Sequence, residues 1–142
     1  MESFTRVTGI ALPFMRVNVD TDQIIPGPEL IRSRKEGCGP SLFARLRYIR
    51  DREPNPDFIL NQEPWKRATI LLADRNFGCG SSRENAPKAL REYGFRSVVA
   101  PSFGGIFFNN CFRNGLLPVE LPIEQVREIR SEERRVGKEC RS

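Results

Sequence analysis

The stretch Ala68-Thr69-Ile70-Leu71-Leu72-Ala73 leads, through Asp74 and Arg75, into Asn76-Phe77-Gly78-Cys79-Gly80-Ser81-Ser82-Arg83-Glu84. The first six residues form an apolar run of strand length, and such runs suit a strand buried on both faces. A glycine-rich turn follows, then a helix ending at Tyr93-Gly94, with Gly94 as its stop. Ser81 and Glu84 have capping-box spacing. Pro87 would then lie inside the helix, so a start near Ala86 or Pro87 is the other reading. Val98-Val99-Ala100 is a second short buried strand, stopped by Pro101. Phe103–Phe112 reads as a helix ending near Asn114-Gly115, and Leu116–Leu121 as a last strand. Strand, helix, strand, helix, strand is an α/β pattern.

Upstream the chain is less regular. Seven of the eleven prolines lie between Pro13 and Pro64. Arg6–Leu12 reads as a first strand ended by Pro13. Asn18 to Pro28 reads as turns, because Asp and Asn bond their own backbone and the prolines oppose a helix. Leu30–Pro40 reads as a basic loop bounded by glycines, Ser41–Arg50 as a short helix, and Glu53–Pro64 as irregular.

The chain has 142 residues, enough for one domain, with 39% hydrophobic and 29% charged residues. It contains no histidine. That excludes a Ser-His-Asp triad, a Cys-His pair, a His-ligated zinc and a His general base. The net charge is +5, too weak by itself to indicate nucleic acid. Cys38, Cys79, Cys111 and Cys140 form no C-x-x-C pair, so metal or iron–sulfur ligation within this chain is not expected. Scattered cysteines and a start without the order of a secretory signal point to a reducing, cytoplasmic setting. The longest uncharged run, Ser97–Phe112, is interrupted by proline, glycine and asparagine, so no membrane span is expected.

In open α/β sheets, ligands bind at the carboxyl ends of strands, which is where residues 76–84 fall. Gly78 and Gly80 allow close approach of backbone to a ligand. Backbone N–H groups at a helix start favour an anion, and Arg83 can grip a carboxylate. A Walker loop, a nucleophile elbow and a dinucleotide fingerprint are each excluded by missing residues. What remains is a carboxylate or phosphate site beside two serine hydroxyls, or a capped helix whose glycines only permit the turn.

Three blocks occur in order: Asp20-Thr21-Asp22-Gln23-Ile24-Ile25-Pro26, then Asn76 to Glu84, then Ala100-Pro101-Ser102-Phe103 with Phe107-Phe108-Asn109-Asn110 and Asn114-Gly115-Leu116-Leu117-Pro118. From about Val7 to Pro122 this set resembles the small-subunit family of 3-isopropylmalate dehydratases (isopropylmalate isomerases) in the aconitase superfamily. The resemblance implies a swivelling β/β/α domain like the aconitase C-terminal domain, over residues 1–129 and incomplete at its C-terminus. It implies a heteromer whose large subunit carries a [4Fe-4S] cluster, with no cofactor on this chain. The pair would interconvert 2-isopropylmalate and 3-isopropylmalate, small dicarboxylates, by dehydration and rehydration in leucine biosynthesis.

The same resemblance makes Ser81 the base, as an alkoxide, and makes Arg83 the holder of a substrate carboxylate with Ser82 assisting. Asp22 matches an active-site aspartate of the superfamily; an Asx-type turn before Pro26 is its other reading. Arg32 and Arg34 lie in the loop where relatives set substrate choice, with Ile31 at the nearest matching position; a solvated basic loop is the alternative. Other readings of the whole chain are a related small subunit acting on a homoaconitate-, citrate- or methylmalate-like acid, and a non-catalytic anion-binding module. Two departures stand out. Asn85 replaces a histidine common in the family. Residues 130–142 lack periodicity and match a sequencing-adapter translation (AGA TCG GAA GAG CGT encodes Arg-Ser-Glu-Glu-Arg), so they read as a non-native tail.

Overall fold

The computed structural model describes residues 9–136. Its centre is a four-stranded, all-parallel sheet in the order β1 (Ala11–Phe14), β4 (Ile70–Ala73), β5 (Ser97–Ala100), β6 (Leu117–Glu120). The long connection from β1 to β4 carries α1 (Thr21–Ile24), α2 (Glu29–Glu36), α3 (Ala44–Arg47) and an antiparallel pair, β2 (Tyr48–Arg50) with β3 (Glu53–Pro54). Helices α4 (Asn85–Tyr93) and α5 (Gly105–Arg113) make the next two crossovers, and α6 (Ile123–Val136) follows β6.

Alternate residues of each strand point to opposite faces, and both faces are covered. Leu71 and Ala73 of β4 join Leu12, Val98 and Ala100 against Ala86, Ala89 and Leu90 of α4 and Phe107 and Cys111 of α5. Ile70 and Leu72 join Ala11 and Val99 on the other side, where Ile123, Val126 and Ile129 of α6 pack. The α/β reading and the buried strands β4 and β5 hold. Residues 86, 89, 90 and 93 of α4 recur on one helical face. Gly94, at φ 135°, ends the helix, and the N–H of Phe95 returns to the Leu90 carbonyl at 3.0 Å.

Four expectations are corrected. Pro13 does not end the first strand but lies within β1, opposite Leu72. β1 is an edge strand, where an absent N–H need not break the ladder. Arg6, the expected start, lies outside the described residues. The prolines around residue 20 do not prevent a helical turn: Asp20 caps α1, with Gln23 completing a capping box. Residues 29–36 are not a loop but α2, entered through Pro28 and closed by Gly37 at φ 86°. Proline before the first turn and glycine after the last are ordinary helix boundaries. The helix expected over Ser41–Arg50 is confined to α3, because Phe43 takes a left-handed conformation and the chain becomes β2 at Tyr48. At the other end α6 runs on through Val136, and residues 137–142, with Cys140, lie outside the described residues.

Candidate active site

Three loops leave the carboxyl ends of β1, β4 and β5 and are stitched side by side. Beyond β4, residues 75–79 run between the other two, with left-handed backbone at Asn76 and Gly78 and isolated bridges at Phe77 and Cys79. On one side Asn18 N–H donates to Arg75 O at 3.0 Å, Gly78 N–H to Val19 O at 2.7 Å, and Thr21 N–H to Cys79 O at 3.0 Å. On the other, Phe77 N–H donates to Ser102 O at 3.1 Å, Gly104 N–H to Phe77 O at 2.9 Å, and Asn76 N–H to the Ser102 hydroxyl oxygen at 2.8 Å. The sheet is thus prolonged at the edge where α/β proteins bind ligands.

Two glycines make this packing possible. A Cβ on Gly78 would lie 2.3 Å from the Phe107 ring, and one on Gly104 would lie 2.6 Å from the Gly78 carbonyl oxygen. Both are closer than real side chains come, so α5 can dock its first turn on the β4 loop only with glycine at these positions.

A cavity of about 200 Å³ opens between this loop and the start of α5. Ser81, Ser82 and Arg83 form one wall, Gly104 to Phe107 another, and Thr21 closes a side. Ser81 and Ser82 are exposed at its rim. The first three amides of α5, Gly105 to Phe107, have no acceptor within the helix, so this wall favours negative charge. The anion-favouring helix start is therefore that of α5. The expected capping box on Ser81 does not form: α4 starts at Asn85 after Glu84, with no side-chain cap. Pro87 lies in the first turn, where no N–H is required.

Arg83 is held in place by one nitrogen. Its Nη1 donates to Asp22 Oδ1 at 3.0 Å and to the Ile25 carbonyl at 2.8 Å. Asp22 Oδ1 also accepts the Gly27 N–H at 3.1 Å, and Asp22 Oδ2 accepts from Arg45 Nη1. Arg45 first, then Arg83 and the Gly27 amide, hold the Asp22 carboxyl at about 2, below the usual 3.8. Asp22 thus binds the Gly27 amide, five residues on, and orients the arginine of the serine loop; the bond expected of an Asx-type turn before Pro26 is not the one it makes.

The structure brings together Asp22, Ser81, Ser82 and Arg83. Arg32 and Arg34 are not in that cavity. Arg32 is bound to Asp51 at 2.8 Å and lies 3.5 Å from Glu36, beside a separate hollow of about 430 Å³ that Arg45 and Arg50 also line. Arg34 lies exposed in the last turn of α2. Ile31 is 70% exposed on the same helix. Asn85 turns away from the serines and approaches the Cys38 sulfur at 3.7 Å. Sequence reasoning missed Arg45 and Thr21. For Thr21 a signal existed, since Asp20 and Gln23 have capping-box spacing around it; for Arg45 there was none.

Among the described residues no group of three His, Cys, Asp or Glu side chains could hold a metal ion. Cys38 and Cys111 are buried apart from Cys79, and burial pushes the Cys111 thiol well up. Among the described residues the donors present do not fit an iron–sulfur cluster.

A parallel α/β layer with an anion-favouring cavity at the carboxyl ends of its strands defines a class of ligand-binding domain. Within that class, residues 1–124 match the Aconitase C-terminal domain, and the chain belongs to that family. A 3-isopropylmalate dehydratase small subunit of Hahella chejuensis is 54% identical over 138 residues, covering 91% of this chain and 64% of the relative. One of Rhodospirillum rubrum is 53% identical over 129 residues, covering 91% and 62%. The crystal structure of 3-isopropylmalate dehydratase from Methanocaldococcus jannaschii superposes with a TM-score of 0.66 at 32% identity, covering 84% of this chain and 65% of that one. The chain thus spans less than two thirds of the length of these relatives.

Proposed function

We propose that this chain is the small subunit of a 3-isopropylmalate dehydratase, a hydro-lyase acting in leucine biosynthesis and active only with a large subunit. The observation that carries the reading is the anchoring of Arg83: Nη1 is engaged by Asp22 and Ile25, while the side chain lines the same cavity as Ser81 and Ser82. A guanidinium fixed along one edge presents its remaining donors in a set direction, which suits a carboxylate. The names of the relatives support isopropylmalate over citrate-like or methylated malate substrates.

In this reading Arg83 binds a substrate carboxylate and Ser82 assists. The Ser81 oxygen takes the proton from the carbon next to that carboxylate and returns it in the reverse direction. A serine oxygen is a weak base unless its anion is stabilised; nearby backbone amides and Arg83 supply that field from fixed positions. The iron–sulfur cluster is assigned to the large subunit, in keeping with the dispersed thiols here. No described helix is long and apolar enough to cross a membrane, and the free thiols of Cys38, Cys79 and Cys111 support a reducing, cytoplasmic setting. Residues 130–142 are proposed to be foreign to the natural chain; sequencing the source locus tests this, and a genuine stop codon after Ser142 contradicts it.

The function is tested anaerobically by mixing this chain with the cluster-loaded large subunit and following the unsaturated intermediate by ultraviolet absorbance. Turnover is expected to need both chains. Ser81→Ala is expected to lower it by about 10²–10⁴-fold, the range for a general base, while co-elution of the subunits persists. A Ser81→Ala complex with full turnover contradicts the assignment. If the chain as given yields none, repeating the assay with a full-length version separates a wrong substrate from missing sequence.

A further inference from the structure

Thr21 is the first residue of α1 and is 2% exposed. Both of its donors reach the serine loop. Its N–H donates to the Cys79 carbonyl at 3.0 Å, and its hydroxyl donates to the Ser81 carbonyl at 2.7 Å, across 60 residues of chain. In a trans peptide the C=O and the following N–H point in opposite directions, and the only cis bond among the described residues is Glu63–Pro64. With the Cys79 and Ser81 carbonyls both drawn to Thr21, the N–H groups of Gly80 and Ser82 are both turned away from it. Gly80, at φ 90°, supplies the backbone freedom between the two peptides.

We infer that Thr21 is a positioning residue for the serine loop: by holding the carbonyls of residues 79 and 81 it sets the amides of Gly80 and Ser82 as paired donors for negative charge beside Ser81. The inference rests on the reading of Ser81 as the proton-accepting residue. Without the hydroxyl, the Ser81–Ser82 peptide loses the bond that fixes its orientation, and a rotated peptide would present a carbonyl oxygen where an N–H had been. A carbonyl dipole there opposes the same charge that the amide favours. Arg83 is anchored independently, by Asp22 and Ile25, so substrate binding is expected to survive the loss. The effect therefore falls on the rate of the chemical step.

Thr21→Val removes the hydroxyl at nearly constant volume and leaves the backbone N–H; Thr21→Ser retains the hydroxyl. In the two-subunit enzyme, Thr21→Val is expected to lower kcat by about 10²–10³-fold, the cost of losing one preorganised donor, with KM changed by less than about threefold. Thr21→Ser is expected to stay within about fivefold of the parent, since it keeps the same donor. In the isotope-labelled chain, the Ser81 carbonyl resonance should move in Thr21→Val and hold its place in Thr21→Ser. A Thr21→Val enzyme that keeps its kcat, or a carbonyl resonance that does not move, overturns the inference. If the parent complex shows no turnover even with a full-length version of the chain, the functional reading fails, and the resonance still decides whether Thr21 orients the peptide. Should Thr21→Val not fold, Thr21→Ala takes its place with the same expected outcomes.

Discussion

Asp22 carries two arginines and a backbone amide on one carboxylate, and that load has a pH signature. Its folded value, about 2, lies below the ordinary 3.8. The stabilisation is therefore complete above the ordinary value and is lost as pH falls from 3.8 through about 2. The carboxyl is 41% exposed, so added salt should weaken the effect. A carbon-detected titration of Asp22 should show a midpoint near 2, and Asp22→Asn should flatten this part of the acid unfolding profile; a midpoint near 3.8 would mean that the arginine contacts do not persist in solution. At this scale the sequence was partly legible. Ser81, Ser82, Arg83 and Asp22 could be picked out as chemically able residues in ordered motifs. Their mutual arrangement could not, because Thr21, Arg45 and the Ile25 carbonyl reach them through contacts that no local pattern records.

Helix α4 ties the serine loop to the core, and its hold depends on few side chains. Leu90 is fully buried against the sheet face formed by Leu71, Ala73 and Val98. Leu90→Ala is expected to lower the unfolding free energy by about 2–5 kcal/mol, the usual range for a buried leucine truncation. A urea titration measures it, and a change below about 1 kcal/mol would mean that the helix settles into the gap. Elements of this kind were legible. β4 and β5 are apolar throughout because both faces of the sheet are covered, and α4 and α5 end on Gly94 and at Asn114-Gly115. The first half was not, for a physical reason. Its helices are short, Pro28 begins one rather than preventing it, and its shape depends on distant partners. Arg47 shows this: its Nη1 donates to the Gly39 and Leu42 carbonyls, and its guanidinium lies over the rings of Tyr48 and Tyr93. No window of sequence around residue 40 contains Tyr93.

Across the whole molecule the three described thiols differ in their access to solvent. Cys79 is partly exposed, whereas Cys38 and Cys111 are 3% and 0% exposed. Under native conditions an alkylating reagent should modify Cys79 first, with peptide mapping to assign each site. Cys38 and Cys111 should react only when the core opens, at rates that rise together with denaturant. Native-state labelling of Cys111 as fast as that of Cys79 would show that α5 detaches separately. Strand order has a further consequence, which concerns time rather than geometry. β1 is the first described strand to leave the ribosome, yet its only neighbour among the described strands begins at Ile70. At a synthesis rate of roughly 5–20 residues per second, Ala11 and its neighbours wait roughly 3–12 seconds for the strand that will cover them. Over that interval the apolar strand has no native partner among the described residues, and a chaperone that shields short hydrophobic segments would find a target in residues 11–14.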